Sequence, residues 1–415
     1  MTTRSRLPFP LVVAWCALLS SCGGGSSSAG SPSAAPPAPA TVAATAPNLV
    51  QTVLVSGLQS PWDMAFLDDG TLFFTEKCRG LSVRSSTGVV TRLFGSAGSA
   101  LPASDFFCDG QSGMHGVALD PQFSSNRFIY VYMPSSAGPG IRANRVVRLV
   151  VGASNTSVGN RIDIVTGIPL KTAATANGGS GAHSGGRIRF SPGDGHLYIT
   201  TGDNHDGPLP QDPQRLGGKV LRVDRDGSAA TANNPPPGFD RRIFTYGHRN
   251  PQGIAFRPGS LVPYVAEHGP NHSDEVTALV NGGNGGWDPT NRPSLTCPDG
   301  YCGYAGNAVT MPMTDTGRFP DAMRPAWSNT GLSQGMGPAE FLSGPQWKAW
   351  TGRLLVGIMG ANRLDLLELD APGTVTGRSN FGSLPAARFR SLVNAPDGSL
   401  YIATDGGEIW RVTPQ

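Results

Sequence analysis

Six short segments crowd polar and charged side chains between apolar runs of the chain. They are CDGQSGMHG (108–116), SGAHSGGRIRF (180–190), TTGDNHDG (200–207), YGHRNPQG (246–253), EHGPNHSDE (267–275) and ARFRS (387–391). In ARFRS, Arg388 and Arg390 alternate with Phe389, so a strand aims both guanidiniums at one face. Two like charges on one buried face are costly unless an anion joins them, and the planar guanidinium fork matches a carboxylate. His183 lies among Gly and Ser, with nothing apolar to make it a core residue. An imidazole there, with an ordinary pKa near ~6.5, suits proton transfer. Arg249 and Asn250 in GHRNPQG offer a further cation and an amide, although a buried arginine can instead stitch neighbouring sheets through their carbonyls. Asp203 closes TTGD, where aspartate either caps a turn or serves a site. Asp274 and Glu275 are either a solvated loop pair or ligands, and His115, His248 and His268 receive no assignment. GLSQG (331–335) fits the nucleophile-elbow pattern but lacks the strand-to-helix context that pattern requires.

The elements that hold these segments repeat. WDMAFLDDGTLFFTE (62–76), HGVALDPQFSSNRFIYVYM (115–133), GRIRFSPGDGHLYITTGD (186–203), QGIAFRPGSLVPYVAEHG (252–269) and RSLVNAPDGSLYIATDGGEIWRV (390–412) share one pattern. Each has a short apolar strand, an Asp/Pro/Gly turn and a second strand rich in Leu, Tyr, Ile and Val, the signature of a β-hairpin. GPQWKAWTGRLLVGIMG (344–360) reads as a degenerate sixth copy. No segment sustains a 3.6-residue period, which removes folds that need helices. The expected architecture is all-β, a six-bladed β-propeller of four-stranded antiparallel sheets over residues 49–415; a β-sandwich pair is the alternative. With 56 Gly and 36 Pro in 415 residues and only 15% charged residues, turns dominate the composition. A formal charge of +3, dispersed along the chain, gives no argument for nucleic acid.

The first residues read as an address. Arg4 and Arg6 precede the apolar run LPFPLVVAWCALL, and LSSC ends at Cys22. Residues 1–21 are expected to be a lipoprotein signal peptide with Cys22 lipidated, against the alternative of an ordinary signal peptide with an incidental cysteine. Residues 22–48 are a Gly/Ser/Ala/Pro tether that cannot bury enough apolar surface to fold. Four cysteines remain for an exported domain. CPDGYC closes readily through its Pro-Asp-Gly turn, giving Cys297–Cys302, and Cys78–Cys108 follows by elimination. That longer loop is worth roughly 3–4 kcal/mol in the chain-entropy picture. A zinc site is the other reading of these cysteines, and their spacings suit it poorly.

GHRNPQG followed by EHGPNHSDE and GGNGGW resembles the soluble quinoprotein sugar dehydrogenases, the glucose/sorbosone dehydrogenase family of six-bladed propellers that bind pyrroloquinoline quinone (PQQ) with calcium. The resemblance runs from about Leu54 to the C-terminus. It implies that His183 is the catalytic base, that Gln111 and Asp203 line the pocket, and that Arg249 and Asn250 lie against the quinone. It further implies that the carbonyls of Gly269 and Pro270 hold calcium, that Arg388 and Arg390 grip cofactor carboxylates, and that Asp274 and Glu275 mark a region of further calcium. Three departures stand out: Ala182 where the family often has aspartate, Gly285 where it has tyrosine, and Gly360 where a lysine is expected. Arg363 is the residue that could reach the carboxylate left by that lysine. The implied activity is oxidation of an aldose at C1 to a lactone. Electrons would pass to a small acceptor, a cytochrome or a quinone-type partner, and the membrane would be met only through the lipid anchor. A calcium-dependent lactonase and a non-catalytic binding propeller are the rival readings. The first wants a central metal held by Glu, Asp and Asn side chains, one from each of several blades, where these segments offer carbonyls, arginines and one histidine instead.

Overall fold

A computed structural model describes residues 45–138, 141–173, 178–303 and 311–415. The signal peptide, Cys22 and most of the tether lie outside the described residues.

Six antiparallel sheets form a ring, so the chain is a six-bladed β-propeller. The innermost strands, in chain order, are Pro61–Phe66, Val117–Leu119, Ile188–Phe190, Pro251–Phe256, Met336–Phe341 and Phe389–Asn394. Each touches the innermost strand of the blade before and after it, and the last touches the first. Blade 1 adds a two-residue parallel strand, Leu101–Pro102, to the usual four. Blade 6 is closed by both chain ends: Leu49–Val55 pairs antiparallel with Glu408–Pro414.

Local chemistry explains the hairpins. In LDDGT the Leu67 N–H donates to the Thr71 carbonyl, and Gly70 turns the chain at φ 83°, a conformation that costs glycine little. APDGS repeats the arrangement, with Ala395 N–H on the Ser399 carbonyl and Gly398 at φ 79°. Apolar side chains then fill the space between successive blades. One such layer joins Phe73 and Leu81 of blade 1 to Val131 and Leu149 of blade 2; another joins Leu355 and Leu366 of blade 5 to Leu392 and Ile402 of blade 6. No blade buries both of its faces without its neighbours.

The degenerate copy at 344–360 needs correction. Pro345–Trp350 is a 3-10 segment, and the inner strand of blade 5 is Met336–Phe341, MGPAEF. Gly337 and Pro338 hide that strand from a pattern search, while Trp347 and Trp350 mimic one because they pack into the apolar layer between blades 5 and 6. Both cysteine pairs are disulfides, Cys78–Cys108 and Cys297–Cys302, so these thiols bind no zinc.

The ring is held at its axis by ions. Arg187, 2% exposed, donates Nε–H to the Gln252 carbonyl (3.0 Å), Nη1–H to that of Trp62 (3.3 Å) and Nη2–H to that of Arg390 (2.7 Å). It therefore links blade 3 to blades 4, 1 and 6. Its counter-ion is Asp63 of blade 1, at 2.5 Å. Asp63 also accepts from Arg189, from Val117 N–H and from Ser391 Oγ, which reaches blades 3, 2 and 6. Burial drives the Asp63 carboxyl upward, but the two arginines outweigh it and hold it below the usual carboxylate range. Arg187→Met would strand three carbonyls and half of an ion cluster. The expected loss is about 3–5 kcal/mol of unfolding free energy, read as a lower denaturant midpoint; an unchanged midpoint would contradict the axial role.

Candidate active site

In an antiparallel blade, the loop entering the inner strand and the loop leaving the second strand lie at the same end. All six polar segments are loops of this kind, so the fold brings them to one end of the ring. Five of them line a cavity of about 530 Å³, and TTGDNHDG stands behind its wall. Gln111, His183, Asn250, Arg388 and Arg390, all expected site residues, line it together. Lys77, His115, Gln252, His268 and Asp405 line it as well.

His183 is the most constrained of these residues. It is non-glycine backbone at φ 50°, as are Asn204 (50°) and His205 (57°) on the facing loop. Such conformations persist where the surroundings over-determine them. The His183 ring Nδ1 lies 2.6 Å from Asp203 Oδ1. Asp203 does not line the cavity as expected; it lies fully buried behind the histidine. Its Oδ1 also accepts His205 N–H (3.0 Å), and its Oδ2 accepts the Trp287 indole N–H and the Tyr301 hydroxyl, both at 2.8 Å. Burial raises this carboxyl above its ordinary value, and His205, Arg249 and Trp287 offset that only in part. The His205 backbone N–H and the Trp287 indole N–H put a fixed donor on each oxygen, which favours the carboxylate form. Asp203 therefore takes the Nδ1 proton of His183 in hydrogen bond, which leaves the ring lone pair on Nε2. Burial first, then Arg249, keeps the imidazole pKa well below its ordinary value. His183 is thus a neutral base in a fixed tautomer.

A cationic wall faces the same cavity. Arg388 and Arg390 both pair with Asp405, Arg388 Nε at 2.9 Å and Arg390 through Nε (2.9 Å) and Nη2 (2.6 Å). The anion that two like-charged neighbours require is therefore partly internal, yet one carboxylate serves two guanidiniums. Lys77 adds a third cation, and burial with Arg390 lowers its pKa. Asn250 accepts Gly185 N–H on Oδ1 (3.1 Å), which fixes its amide at the His183 loop. The floor is aromatic and neutral: Trp62 stacks on His115 at 4.6 Å with Arg187 over the indole at 4.1 Å, and burial lowers His115 to about 3.

Arg249 is not on the cavity wall. It is fully buried, donating Nη1–H to the His268 carbonyl (2.8 Å) and lying 5.8 Å from the Trp287 ring. Its backbone N–H and that of Asn250 are held by Glu267, which also binds His248. Arg363 points away from the cavity too, paired with Asp365 and with Gln334 Oε1.

Calcium demands oxygen ligands. Gly269 and Pro270 are buried beside His268 and do not themselves line the cavity; among the described residues neither carbonyl accepts a hydrogen bond, which leaves two oxygens of the kind calcium takes. Asp274 does not fit: its carboxylate already accepts Gly269 N–H, Asn329 Nδ2, Ser333 Oγ and Gln334 N–H. Glu275 is buried, accepts the Thr314 hydroxyl and is pushed up to about 8, chiefly by burial. A side chain at 285 has no room, since a Cβ there would lie 2.6 Å from the Gly247 carbonyl. The cluster His183–Asp203–His205 has ligand atoms within 4.8 Å of one another, but its nitrogens and its committed carboxylate suit calcium poorly.

The family described as Glucose / Sorbosone dehydrogenase matches residues 58–411. The chain belongs to the glucose/sorbosone dehydrogenase family. Aldose sugar dehydrogenase YliI of Escherichia coli (strain K12) is 29% identical over 374 residues, 88% of this chain and 92% of that protein. Quinoprotein glucose dehydrogenase B of Acinetobacter calcoaceticus is 30% identical over 271 residues, 59% of this chain and 53% of that one. A PQQ-bound form of aldose sugar dehydrogenase from Streptomyces coelicolor shares the fold, with a TM-score of 0.66 at 24% identity over 89% of this chain and 100% of that one.

Several residues of this family member escaped the sequence reading. Asp405 and Lys77 directly follow second strands, Leu400–Thr404 and Leu72–Glu76, just as His268 follows Pro263–Glu267. The residue after each second strand was the available signal, and the repeat alignment of blade 1 stopped one residue short, at Glu76. Trp287 and Tyr301 come from the long insertion between Ala278 and Trp327 of blade 4, where no repeat could flag them. Ring ¹⁵N NMR at pH 5.5 should find His183 neutral and protonated on Nδ1, because its folded pKa lies below the ordinary ~6.5. Asp203→Asn should abolish that tautomer preference; an imidazolium at pH 5.5 in the wild type would refute the burial argument.

Proposed function

We propose that this protein is a PQQ- and calcium-dependent sugar dehydrogenase that oxidises an aldose at C1 to the lactone. The observation that carries the reading is the meeting, in one cavity, of a neutral histidine held by a buried carboxylate and two arginines that share a single carboxylate. The names of the quinoprotein and aldose dehydrogenase relatives support it.

When bound, PQQ supplies a two-electron acceptor and calcium a Lewis acid beside it. The chain's own residues do the rest. Arg388 and Arg390 bind cofactor carboxylates through guanidinium forks, and Asn250 and Gln111 add amide contacts at the same wall. The carbonyls of Gly269 and Pro270 hold the calcium. His183 Nε2 takes the proton of the C1 hydroxyl, and Asp203 stabilises the imidazolium that results. Tyr301 and Trp287 keep Asp203 in place, and Arg249 braces the His268 carbonyl from beneath. The donor set at Asp274 argues against that carboxylate holding a calcium. Export with a lipid anchor at Cys22 belongs to the same reading, supported by the two disulfides; Cys22→Ser should move the protein from the membrane fraction to the soluble one. An envelope cytochrome or quinone-type acceptor would receive the electrons.

Apoprotein loaded with PQQ and calcium should reduce a dye only when an aldose is added. His183→Gln should lower kcat by about 10²–10⁴-fold while leaving PQQ binding intact. The acid limb of kcat/KM should fall below pH 6.5, because a lowered His183 pKa keeps the base unprotonated to lower pH. A chain that binds PQQ yet oxidises no aldose would be a binding propeller and would overturn the reading.

A further inference from the structure

The cavity's charge does not close on the expected residues alone. Its lining holds Lys77, Arg388 and Arg390 against one carboxylate, Asp405. Asp405 is engaged by both arginines. The Lys77 ammonium donates to the Gly110 carbonyl, a neutral acceptor, and among the described residues it has no ion-pair partner. A partly buried ammonium held beside two guanidiniums without its own carboxylate is an unfavourable arrangement unless an anion completes it.

The scaffold around Lys77 is rigid. Cys78 is joined to Cys108, and the Lys77 carbonyl accepts Met114 N–H at 2.8 Å, so the backbone is tied on both sides to the loop that carries Gln111 and His115. The ring's pseudo-symmetry gives the position meaning. Lys77 leaves the second strand of blade 1 as His268 does in blade 4 and Asp405 in blade 6, and both of those also line the cavity. In blade 5 the corresponding strand, Leu354–Ile358, is followed by Met359, a buried apolar side chain, and then by Gly360. There the backbone N–H bonds the Gln334 carbonyl at 2.7 Å, and a Cβ would sit 2.4 Å from that oxygen. No side chain can enter the cavity from that place, and Arg363 is tied to Asp365 and Gln334 instead.

We propose that Lys77 is a cofactor-binding residue, the third cation of the cavity, which pairs with a carboxylate of the polyanionic quinone. The proposal rests on the PQQ reading above. Lys77 and the two arginines outnumber Asp405, and the surplus positive charge matches a ligand with several carboxylates. A field this positive also explains why Lys77 and Arg388 both have lowered pKa values, Lys77 through burial and Arg390, Arg388 through burial and Arg390. Binding of an anion relieves both.

The test is titration of PQQ into calcium-loaded apoprotein, followed by calorimetry, for wild type, Lys77→Met and Lys77→Arg. Lys77→Met should raise Kd about 10–100-fold and make its dependence on salt concentration shallower. Lys77→Arg should recover most of the affinity. Thermal melting of the apoproteins reports whether folding is intact. Should Lys77→Met not fold, Lys77→Gln is measured in its place. A singly esterified PQQ series supplies a readout that a purely structural lysine would not move. One ester should bind wild type more weakly yet bind Lys77→Met no more weakly than PQQ itself. Equal PQQ affinities for wild type and a folded Lys77→Met or Lys77→Gln would overturn the assignment and leave the cofactor reading standing. A wild-type protein that binds no PQQ would remove that reading and the role of Lys77 with it.

Discussion

The buried ion cluster of Asp63, Arg187 and Arg189 is the constraint on which the molecule depends. Blades meet one another laterally through apolar layers, whose attraction carries no direction of its own. Hydrogen bonds from one guanidinium to the carbonyls of three other blades have direction. They fix how far the inner strands of blades 1, 4 and 6 stand from that of blade 3, and hence how the loops at their ends face one another. The cluster is buried and fully partnered, the condition under which ionic groups inside a protein are tolerable and specify one arrangement over near alternatives. Since Trp62 lines the cavity and Arg187 both bonds its carbonyl and lies over its indole, the ring's keystone sits directly beneath the site.

From that frame the site follows as a division of labour. Residues that face the cavity are backed by residues that never reach it. His183 leans on Asp203, and Asp203 leans on Trp287 and Tyr301 from the blade 4 insertion, whose Cys297–Cys302 loop carries Tyr301. Asn250 depends on Glu267, and Arg249 supports His268. The backing layer is what converts a histidine on a glycine-rich loop, an unpromising place for precision, into a group with a single tautomer and a defined direction.

The sequence disclosed the ring and most of the wall because both rest on local chemistry. Asp/Pro/Gly turns between apolar runs announce hairpins wherever they occur, and alternation in RFR puts both arginines on one side. It was silent where tertiary placement decides. Nothing in HRN distinguishes an arginine lining a cavity from one beneath it, and TTGD does not reveal that its aspartate stands behind a histidine twenty residues earlier. MGPAEF was missed as a strand because glycine and proline argue against one unless the neighbouring blade supplies the packing. Lys77 lay in view but outside the repeat, since the repeat was recognised by its apolar residues and a strand's first polar successor does not contribute to that pattern.

The pairing of Leu49–Val55 with Glu408–Pro414 gives the molecule a temporal order as well as a shape. The blade that carries Arg388, Arg390 and Asp405 has its outermost strand near the start of the polypeptide and the rest at the finish. A ribosome or a translocation channel therefore delivers the first strand long before its partners exist. Ring closure over such a contour adds little to the equilibrium cost, because loop entropy grows only with the logarithm of length, but it comes late. A chain that stopped before Phe389–Asn394 would own the histidine and its supporting residues yet lack both guanidiniums and Asp405, and its ring would stay open.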